Sequence, residues 1–147
     1  MPTEAPSNAL TYKALSLEGR LAVALTPELP EAYRQCILDD QWVQTRCYFA
    51  RRLDLRPQEI EILLSDSDHI IRLCIAKRHD LNPEQIARCV GDSDPNVRYA
   101  ISRSPQLSPQ QQEQLRMDTD PLVRKAALKP AKELRTRQRP GQAVLVR

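Results

Sequence analysis

Residues 41–66 read QWVQTRCYFARRLDLRPQEIEILLSD, and residues 67–92 read SDHIIRLCIAKRHDLNPEQIARCVGD. Residues 93–118 continue with SDPNVRYAISRSPQLSPQQQEQLRMD, and residues 119–131 add the half-unit TDPLVRKAALKPA. An Arg, an Asp and a Pro each recur at intervals of 26 residues through these segments. Three independent columns in one register predict an internal repeat. The columns are Arg46, Arg72, Arg98 and Arg124; Asp40, Asp66, Asp92 and Asp118; and Pro57, Pro83 and Pro109.

Helix-start signals divide each repeat into two short helices. The first helix of the later repeats opens at an Asp, whose carboxylate accepts hydrogen bonds from the free amides of a first helical turn. The second helix opens at Asn82-Pro83 and at Ser108-Pro109, because Pro at the first helical position loses no hydrogen bond. The high proline count, 12 residues, is therefore compatible with a helical chain. The capping residues of the first helices are Asp68, Asp94 and Asp120.

Apolar side chains follow the spacing i, i+3, i+4 within each predicted helix, as at Ile71, Cys74 and Ile75. A repeat of this size cannot bury such a face alone, so neighbouring repeats must stack. The sequence predicts an all-α fold, a short α-solenoid of 26-residue two-helix repeats. The predicted units lie at about 13–40, 41–66, 67–92, 93–118 and 119–131, between an N-terminal tail (1–12) and a basic C-terminal tail (132–147).

The first unit departs from the register of the others. Thr26-Pro27-Glu28 has the composition of a helix start, but it lies four residues earlier than the register requires. Four residues are about one helical turn. The pattern therefore predicts a second helix near 27–39 that is one turn longer than its equivalents. Such an atypical end unit is typical of a cap that shields the core from water.

The motif D-x-D-P-x-V-R, followed by an apolar-Ala stretch, L-x-P and L-x-x-D, resembles the leucine-rich repeat variant family. The resemblance covers residues 40–130 and is closest over residues 92–129. It implies HEAT-like units, each an α-helix and a shorter, often 3₁₀, helix, stacked into a right-handed superhelix that serves interaction rather than catalysis. One member of that family binds an iron–sulfur cluster through a separate cysteine-rich segment. No comparable cysteine cluster occurs in this sequence, so no cofactor is expected.

Composition indicates a soluble protein without a membrane anchor. Charged residues make up 28% and hydrophobic residues 41% of the chain, and no apolar run is long enough to span a membrane. The first residues lack the pattern of a secretory signal. The four cysteines form no CxxC pair and match no familiar zinc or iron–sulfur spacing, so we expect reduced thiols, a cytoplasmic location and no metal site. The alternative for Cys36 and Cys47 is a distant shared metal. The cysteines are Cys36, Cys47, Cys74 and Cys89.

The Arg column has two interpretations. A line of guanidinium groups could follow a phosphate backbone. Alternatively, each Arg pairs with the capping Asp residues and forms an internal ladder, which we favour because Arg suits partly buried, bidentate pairing. The predicted structural ladder comprises Arg46, Arg72, Arg98, Arg124, Asp66, Asp92 and Asp118.

Other residues are candidates for binding a partner. Trp42 replaces the Asp of the later repeats, so it is either an interface anchor or a packing residue against the first unit. A second basic column lies five residues beyond the ladder arginines and is either a solvated face or a binding surface. The C-terminal tail adds further cations to a chain of net charge +3. These candidates are Arg51, Lys77, Arg103 and Lys129 of the basic column, and Arg135, Arg137 and Arg139 of the tail.

No pattern indicates an enzyme. The two histidines have no Ser, Cys or carboxylate partner at a repeatable spacing, and no Gly-rich phosphate loop occurs. We therefore expect no catalytic residues and a repeat scaffold that binds a protein partner. The alternative is a nucleic-acid-binding helical-repeat module that uses the basic column and the tail. A second, weaker alternative is an iron–sulfur-associated redox protein.

Overall fold

The computed structural model describes residues 6–132 together with the residue pairs 136–137 and 145–146. The first five helices are α1 (Ala9–Lys13), α2 (Leu17–Ala24), α3 (Glu31–Leu38), α4 (Val43–Ala50) and α5 (Pro57–Leu64). The next five are α6 (His69–Ala76), α7 (Pro83–Val90), α8 (Pro95–Ile101), α9 (Pro109–Arg116) and α10 (Pro121–Ala127). Two short strands follow, β1 (Thr136–Arg137) and β2 (Leu145–Val146), and they pair antiparallel. Residues 6–132 are thus all-helical, as the sequence predicts.

The helices form two rows. Helices α2, α4, α6, α8 and α10 make up the first row, and each contacts the next member of that row. The second row contains α3, α5, α7 and α9, which pack against the first-row helices that follow them in the chain. Equivalent helices begin 26 residues apart, at Val43, His69, Pro95 and Pro121 in the first row and at Glu31, Pro57, Pro83 and Pro109 in the second.

One hydrophobic cluster joins the two rows. The first row contributes residues from the predicted apolar columns, and the second row contributes its own buried face. Burying one such aliphatic side chain stabilises the fold by about 1.5–3 kcal/mol. The largest of these residues are Phe49, Ile71, Ile75, Val97, Ile101 and Val123 from the first row, with Ile37, Leu63 and Leu115 from the second.

The helix starts follow the capping signals in the sequence. The carboxylates of Asp68, Asp94 and Asp120 accept from the backbone N–H two residues later. Asn82 and Ser108 form capping boxes with the Gln three residues along. These contacts satisfy amides that would otherwise have no partner in the first turn. Trp42 occupies the equivalent position in α4 and makes no such bond.

The predicted helix near 27–39 is wrong in its start. Helix α3 begins at Glu31, in register with Pro57 and the later second-row helices. A helix that began at Pro27 would place Pro30 inside the helix, where proline lacks the N–H that the helical bond requires. The segment before α3 is held instead by Arg52, whose Nη1 donates to the carbonyl of Thr26 at 2.7 Å.

The predicted N-terminal tail is also wrong over its last residues. Asn8 and Thr11 form a reciprocal capping box that starts α1. Tyr12 is buried, its hydroxyl donates to Asp40, and its ring lies 5.5 Å from the ring of Tyr33. Helix α1 therefore packs against α3 as part of the folded body.

The predicted basic tail lies almost wholly outside the described residues. No side chain of residues 133–147 is described, so the positions of Arg135, Arg137 and Arg139 are not addressed. Among the described residues, no helix has the length and apolar character needed to cross a membrane.

Candidate functional site

The ladder arginines link successive repeats. In three repeats the Nε atom donates to an Asp carboxylate oxygen 20 residues later, at 2.8 or 2.9 Å. The Nη1 atom of the same Arg donates to the backbone carbonyl of the Asp six residues earlier. The carboxylate pairs are Arg46 with Asp66, Arg72 with Asp92 and Arg98 with Asp118.

Two of the ladder carboxylates, Asp92 and Asp118, are stabilised in the ionised form. Burial alone would raise the pKa of Asp92 and Asp118, but the hydrogen bonds that they accept outweigh it and lower both pKa values. For Asp92 these donors are the Arg72 guanidinium and the backbone N–H of Asp94. Asp118 has the same two kinds of donor, Arg98 and the Asp120 N–H. Because the guanidinium groups are used inside the ladder, they are not available to follow a phosphate backbone.

Within residues 6–132, Arg124 ends the ladder without a carboxylate partner. In that part of the chain its Nη1 donates to the carbonyls of Asp118 and Thr119, and its side chain is exposed. The column position 20 residues further along is Val144, which cannot accept a hydrogen bond from a guanidinium. The terminal repeat therefore retains half of the contacts that the interior ladder arginines make.

A second pair of arginines, Arg52 and Arg78, is buried and was not singled out from the sequence. Both side chains are no more than 2% exposed. The Nη1 atom of Arg78 donates to the carbonyls of Ala50 and Arg52 at 2.8 and 2.6 Å. Its Nε and Nη2 atoms bind both carboxylate oxygens of Asp80.

Arg52 makes the equivalent contacts one repeat earlier. We call the positions of residues 52, 78 and 104 the first, second and third levels of the first helix row. It donates to the carbonyls of Ala24 and Thr26 and binds Asp54 through Nε and Nη2. In both cases the guanidinium satisfies carbonyls at the end of the preceding first-row helix, which have no partner within that helix. The signal in the sequence is the motif R-x-D, which occurs at residues 52–54 and again 26 residues later at 78–80.

The third level has no buried arginine. Ser104 and Gln106 stand where the register would place Arg and Asp. The carbonyls equivalent to those bound by Arg78 belong to Ala76 and Arg78, and neither accepts a hydrogen bond from residues 6–132. Ala76, Arg78 and Ser104 all line a cavity of about 390 Å³. The cavity therefore opens where a third arginine would lie.

The cavity has an apolar wall and a basic rim. The wall includes Leu73, Ala76, Ala100 and Ala126, and the ring of Tyr99, which is 50% exposed. We define the basic rim as Lys77, Arg103 and Lys132, which all line the cavity.

No charge compensates the basic rim among the described residues. The cavity lining contains no Asp or Glu. None of the three rim side chains belongs to a salt bridge within residues 6–132. Arg78 also lines the cavity, but Asp80 neutralises it. The cavity, with its rim, is therefore a positively charged site with an apolar surface beneath.

The local backbone explains why cations occupy the rim. Lys77 is the C-cap of α6, and Arg103 follows the C-cap of α8. A cation at the end of a helix interacts favourably with the helix dipole. Arg103 is also fixed by its Nε, which donates to the carbonyl of Pro130 at 3.1 Å. The backbone N–H of Lys132 donates to the carbonyl of Arg103 at 2.7 Å, which brings Lys132 to the same place.

The structure brings together only some of the predicted binding residues. Lys77 and Arg103 line the cavity, whereas Arg51 and Lys129 of the same basic column do not. Trp42 is half-buried, and its ring lies 4.5 Å from the guanidinium carbon of Arg20 in the first unit. Trp42 therefore packs against the N-terminal end of the molecule. Lys132 is the first residue of the predicted basic tail, and the hydrogen bond from its backbone N–H to the carbonyl of Arg103 places it beside the cavity.

The cysteines do not form a metal site in the described part of the chain. Over residues 6–132, no group of three His, Cys, Asp or Glu side chains could hold a metal ion. Cys74 and Cys89 are buried and Cys36 and Cys47 are half-buried, all four as free thiols.

Comparisons of this chain with protein-family models, with curated proteins and with solved structures give no match.

Proposed function

We propose that this protein is a non-catalytic helical-repeat scaffold that binds an acidic, partly apolar segment of a partner protein in the cavity and its basic rim. The 26-residue units form a short right-handed solenoid in this proposal. The observation that carries the proposal is the cavity at the third level, where three cations that form no salt bridge within residues 6–132 surround an apolar wall.

The dimensions of the cavity suit a short peptide segment. Its volume of about 390 Å³ falls within the range of roughly 300–1,000 Å³ that is usual for ligand sites. The exposed face of Tyr99 and the wall formed by Leu73 and Ala126 would contact an aliphatic or aromatic side chain. Carboxylates on either side of that side chain would pair with Lys77, Arg103 and Lys132.

The apolar wall favours a protein over a nucleic acid as the partner. The affinity of a sequence-independent nucleic-acid site comes mainly from many cation–phosphate contacts. Here the ladder arginines are committed to Asp carboxylates, and the buried arginines to carbonyls and Asp. These arginines are therefore not available to phosphates, while the wall offers contacts to an apolar side chain.

The test is fluorescence anisotropy of the full chain with two labelled probes. One probe is a pool of short peptides composed of Asp, Glu, Leu and Phe, and the other is a single-stranded oligonucleotide. We expect the acidic peptides to bind and Lys77→Glu/Arg103→Glu to weaken binding by about tenfold or more, because like charges then face the probe.

A matched control carries the same change of net charge away from the cavity. Lys13→Glu/Arg116→Glu reverses two exposed cations that do not line the cavity. We expect this control to bind the peptides nearly as well as the natural chain. Equal weakening by both variants would contradict the site, because it would reflect net charge alone. Binding of the oligonucleotide but not of the peptides would replace the proposal with the nucleic-acid alternative.

A further inference from the structure

Two thiols from consecutive first-row helices lie against each other. Cys47 on α4 and Cys74 on α6 have Sγ atoms 2.9 Å apart, which is closer than ordinary van der Waals contact between two sulfur atoms. A disulfide has an S–S length of about 2.05 Å, so a displacement of about 1 Å would bring the sulfurs to bonding distance. The other two cysteines have no such neighbour in the described residues: the thiol of Cys36 donates to the carbonyl of Ala32, and Cys89 is buried in the core.

The repeat explains this proximity. Cys74 stands in the column of Tyr48 and Ala100, and Cys47 stands in the column of Leu73 and Tyr99. The two cysteines are separated by 27 residues, which is the repeat length plus one. They therefore occupy neighbouring positions in the contact between α4 and α6. The helices on both sides are fixed by the Arg46–Asp66 and Arg72–Asp92 bridges. The thiols are therefore held together in the folded chain rather than meeting by chance motion.

Cys47 is the reactive member of the pair. It is half-buried and so can be reached from solvent, whereas Cys74 is only 7% exposed. A hydrogen bond from Cys74 stabilises the thiolate of Cys47, and although burial opposes ionisation, the charges of Arg51 and Lys77 favour it more than Asp68 disfavours it. Together these lower the pKa of Cys47 to about 7. The hydrogen bond with Cys47 and burial raise the pKa of Cys74.

We propose that Cys47 and Cys74 form a redox-active dithiol that reacts with small-molecule disulfides and closes to a disulfide between α4 and α6. The Cys47 thiolate attacks one sulfur of the disulfide RSSR, the RS–SR bond breaks, and the leaving thiolate takes up a proton to give RSH. The Cys74 thiol then loses its proton, and its sulfur attacks Sγ of Cys47 and displaces the second RSH. Two protein thiols are oxidised by two electrons, and one disulfide is reduced to two thiols.

This dithiol is independent of the proposed peptide site. Cys47 does not line the cavity, although Lys77 contributes to both places. The dithiol can therefore be present whether or not acidic peptides bind, and the experiments for the two proposals have separate readouts.

The experiment equilibrates the full chain with glutathione buffers of increasing oxidised fraction, blocks free thiols by alkylation, and maps the products by mass spectrometry. We expect one intramolecular disulfide, between Cys47 and Cys74, while Cys36 and Cys89 remain reduced. The matched control Cys36→Ser/Cys89→Ala should give the same transition. A disulfide that includes Cys36 or Cys89, or two free thiols at Cys47 and Cys74 under fully oxidised glutathione, would overturn the proposal.

A variant and a rate separate the roles of the two sulfurs. In Cys74→Ala we expect the Cys47–glutathione mixed disulfide to accumulate, because no second thiol can displace it. If that variant does not fold, the natural chain still provides a test. At neutral pH Cys47 should be alkylated about tenfold faster than Cys36, since the thiolate is the nucleophile. Equal rates for the two cysteines would contradict the assignment of Cys47 as the attacking group.

Discussion

Two levels of the first helix row are closed by a buried arginine, and the third level is open. At the closed levels Arg52 and Arg78 join the end of one first-row helix to the next and bind an Asp two residues later. At the open level Ser104 stands in place of the Arg and Gln106 in place of the Asp, and a cavity lies where the guanidinium would be. The same helical framework is present at all three levels. The repeat therefore specifies the helical framework, and a local departure from the repeat creates the candidate site.

The open level differs from the closed ones in charge as well as in volume. A buried guanidinium is costly unless its charge is paired and its donors are satisfied, and Arg78 meets both conditions through Asp80 and two carbonyls. The loss of Arg alone would leave an unpaired carboxylate at the third level. Because Gln106 is neutral, that level carries no such cost, and the cations of the rim remain to attract a ligand.

The largest expected effect on stability comes from removing one of the buried arginines. Arg78→Ala removes the donors to the carbonyls of Ala50 and Arg52, and we expect the free energy of unfolding to fall by about 3 kcal/mol. Urea denaturation followed by circular dichroism measures this loss. Arg116→Ala, at an exposed position, is the control and should change stability by about 0.5 kcal/mol or less. Similar losses in both variants would show that the buried pair has no special role.

The ladder continues past the open level, and its pH dependence can be tested there. Asp118 binds Arg98, and its pKa is lowered in the folded state, so its contribution is present above the unfolded pKa and is lost as the pH falls below about 4. Asp118→Asn should lower stability at neutral pH by about 2 kcal/mol. That difference should be smaller at pH 3, because the contribution of the carboxylate falls as it becomes protonated. Urea titrations at neutral pH and at pH 3 measure the loss, and Asp39→Asn serves as an exposed control. A loss in Asp118→Asn that is the same at both pH values would contradict this prediction.

Adding the missing arginine and aspartate at the third level tests whether that level is equivalent to the other two. Ser104→Arg/Gln106→Asp places the missing guanidinium and carboxylate in register with Arg78 and Asp80. We expect the free energy of unfolding to rise by about 1 kcal/mol, because the carbonyls of Ala76 and Arg78 gain donors. The acidic peptides should no longer bind, since the added side chain fills the cavity. A less stable variant that still binds the peptides would show that the third level is not equivalent to the other two.

The smallest effect is expected at the end of the ladder. Arg124 contacts two carbonyls and no carboxylate, so Arg124→Ala should cost about 0.5 kcal/mol, whereas Arg98→Ala should cost about 2 kcal/mol. Thermal and urea unfolding of the two variants under the same conditions provide the comparison. Equal losses would mean that the Arg98 carboxylate bridge contributes little beyond the carbonyl contacts.

The local structure was predicted more accurately than the site. The Asp and Asn-Pro or Ser-Pro signals gave the starts of α6 to α10, because a capping residue acts on amides within its own first turn. Helix α1 was missed although Asn8 and Thr11 carry a capping signal, since no repeat column marked the segment. The Thr26-Pro27 signal predicts a start of α3 that is too early, because Pro30 would then lie inside the helix without an N–H to donate.

The all-helical content, the starts of α6 to α10 and the apolar columns could be predicted from the sequence, since they depend on contacts within a few residues or on a regular spacing. Tertiary structure decided which groups meet across repeats. It paired each interior ladder Arg with an Asp 20 residues later, placed Lys132 beside Arg103, and brought Cys47 against Cys74. The packing also leaves a cavity beside Ser104. The physical reason is that a side chain's neighbours in the next repeat depend on how the helices pack, and the one-dimensional register does not specify that packing.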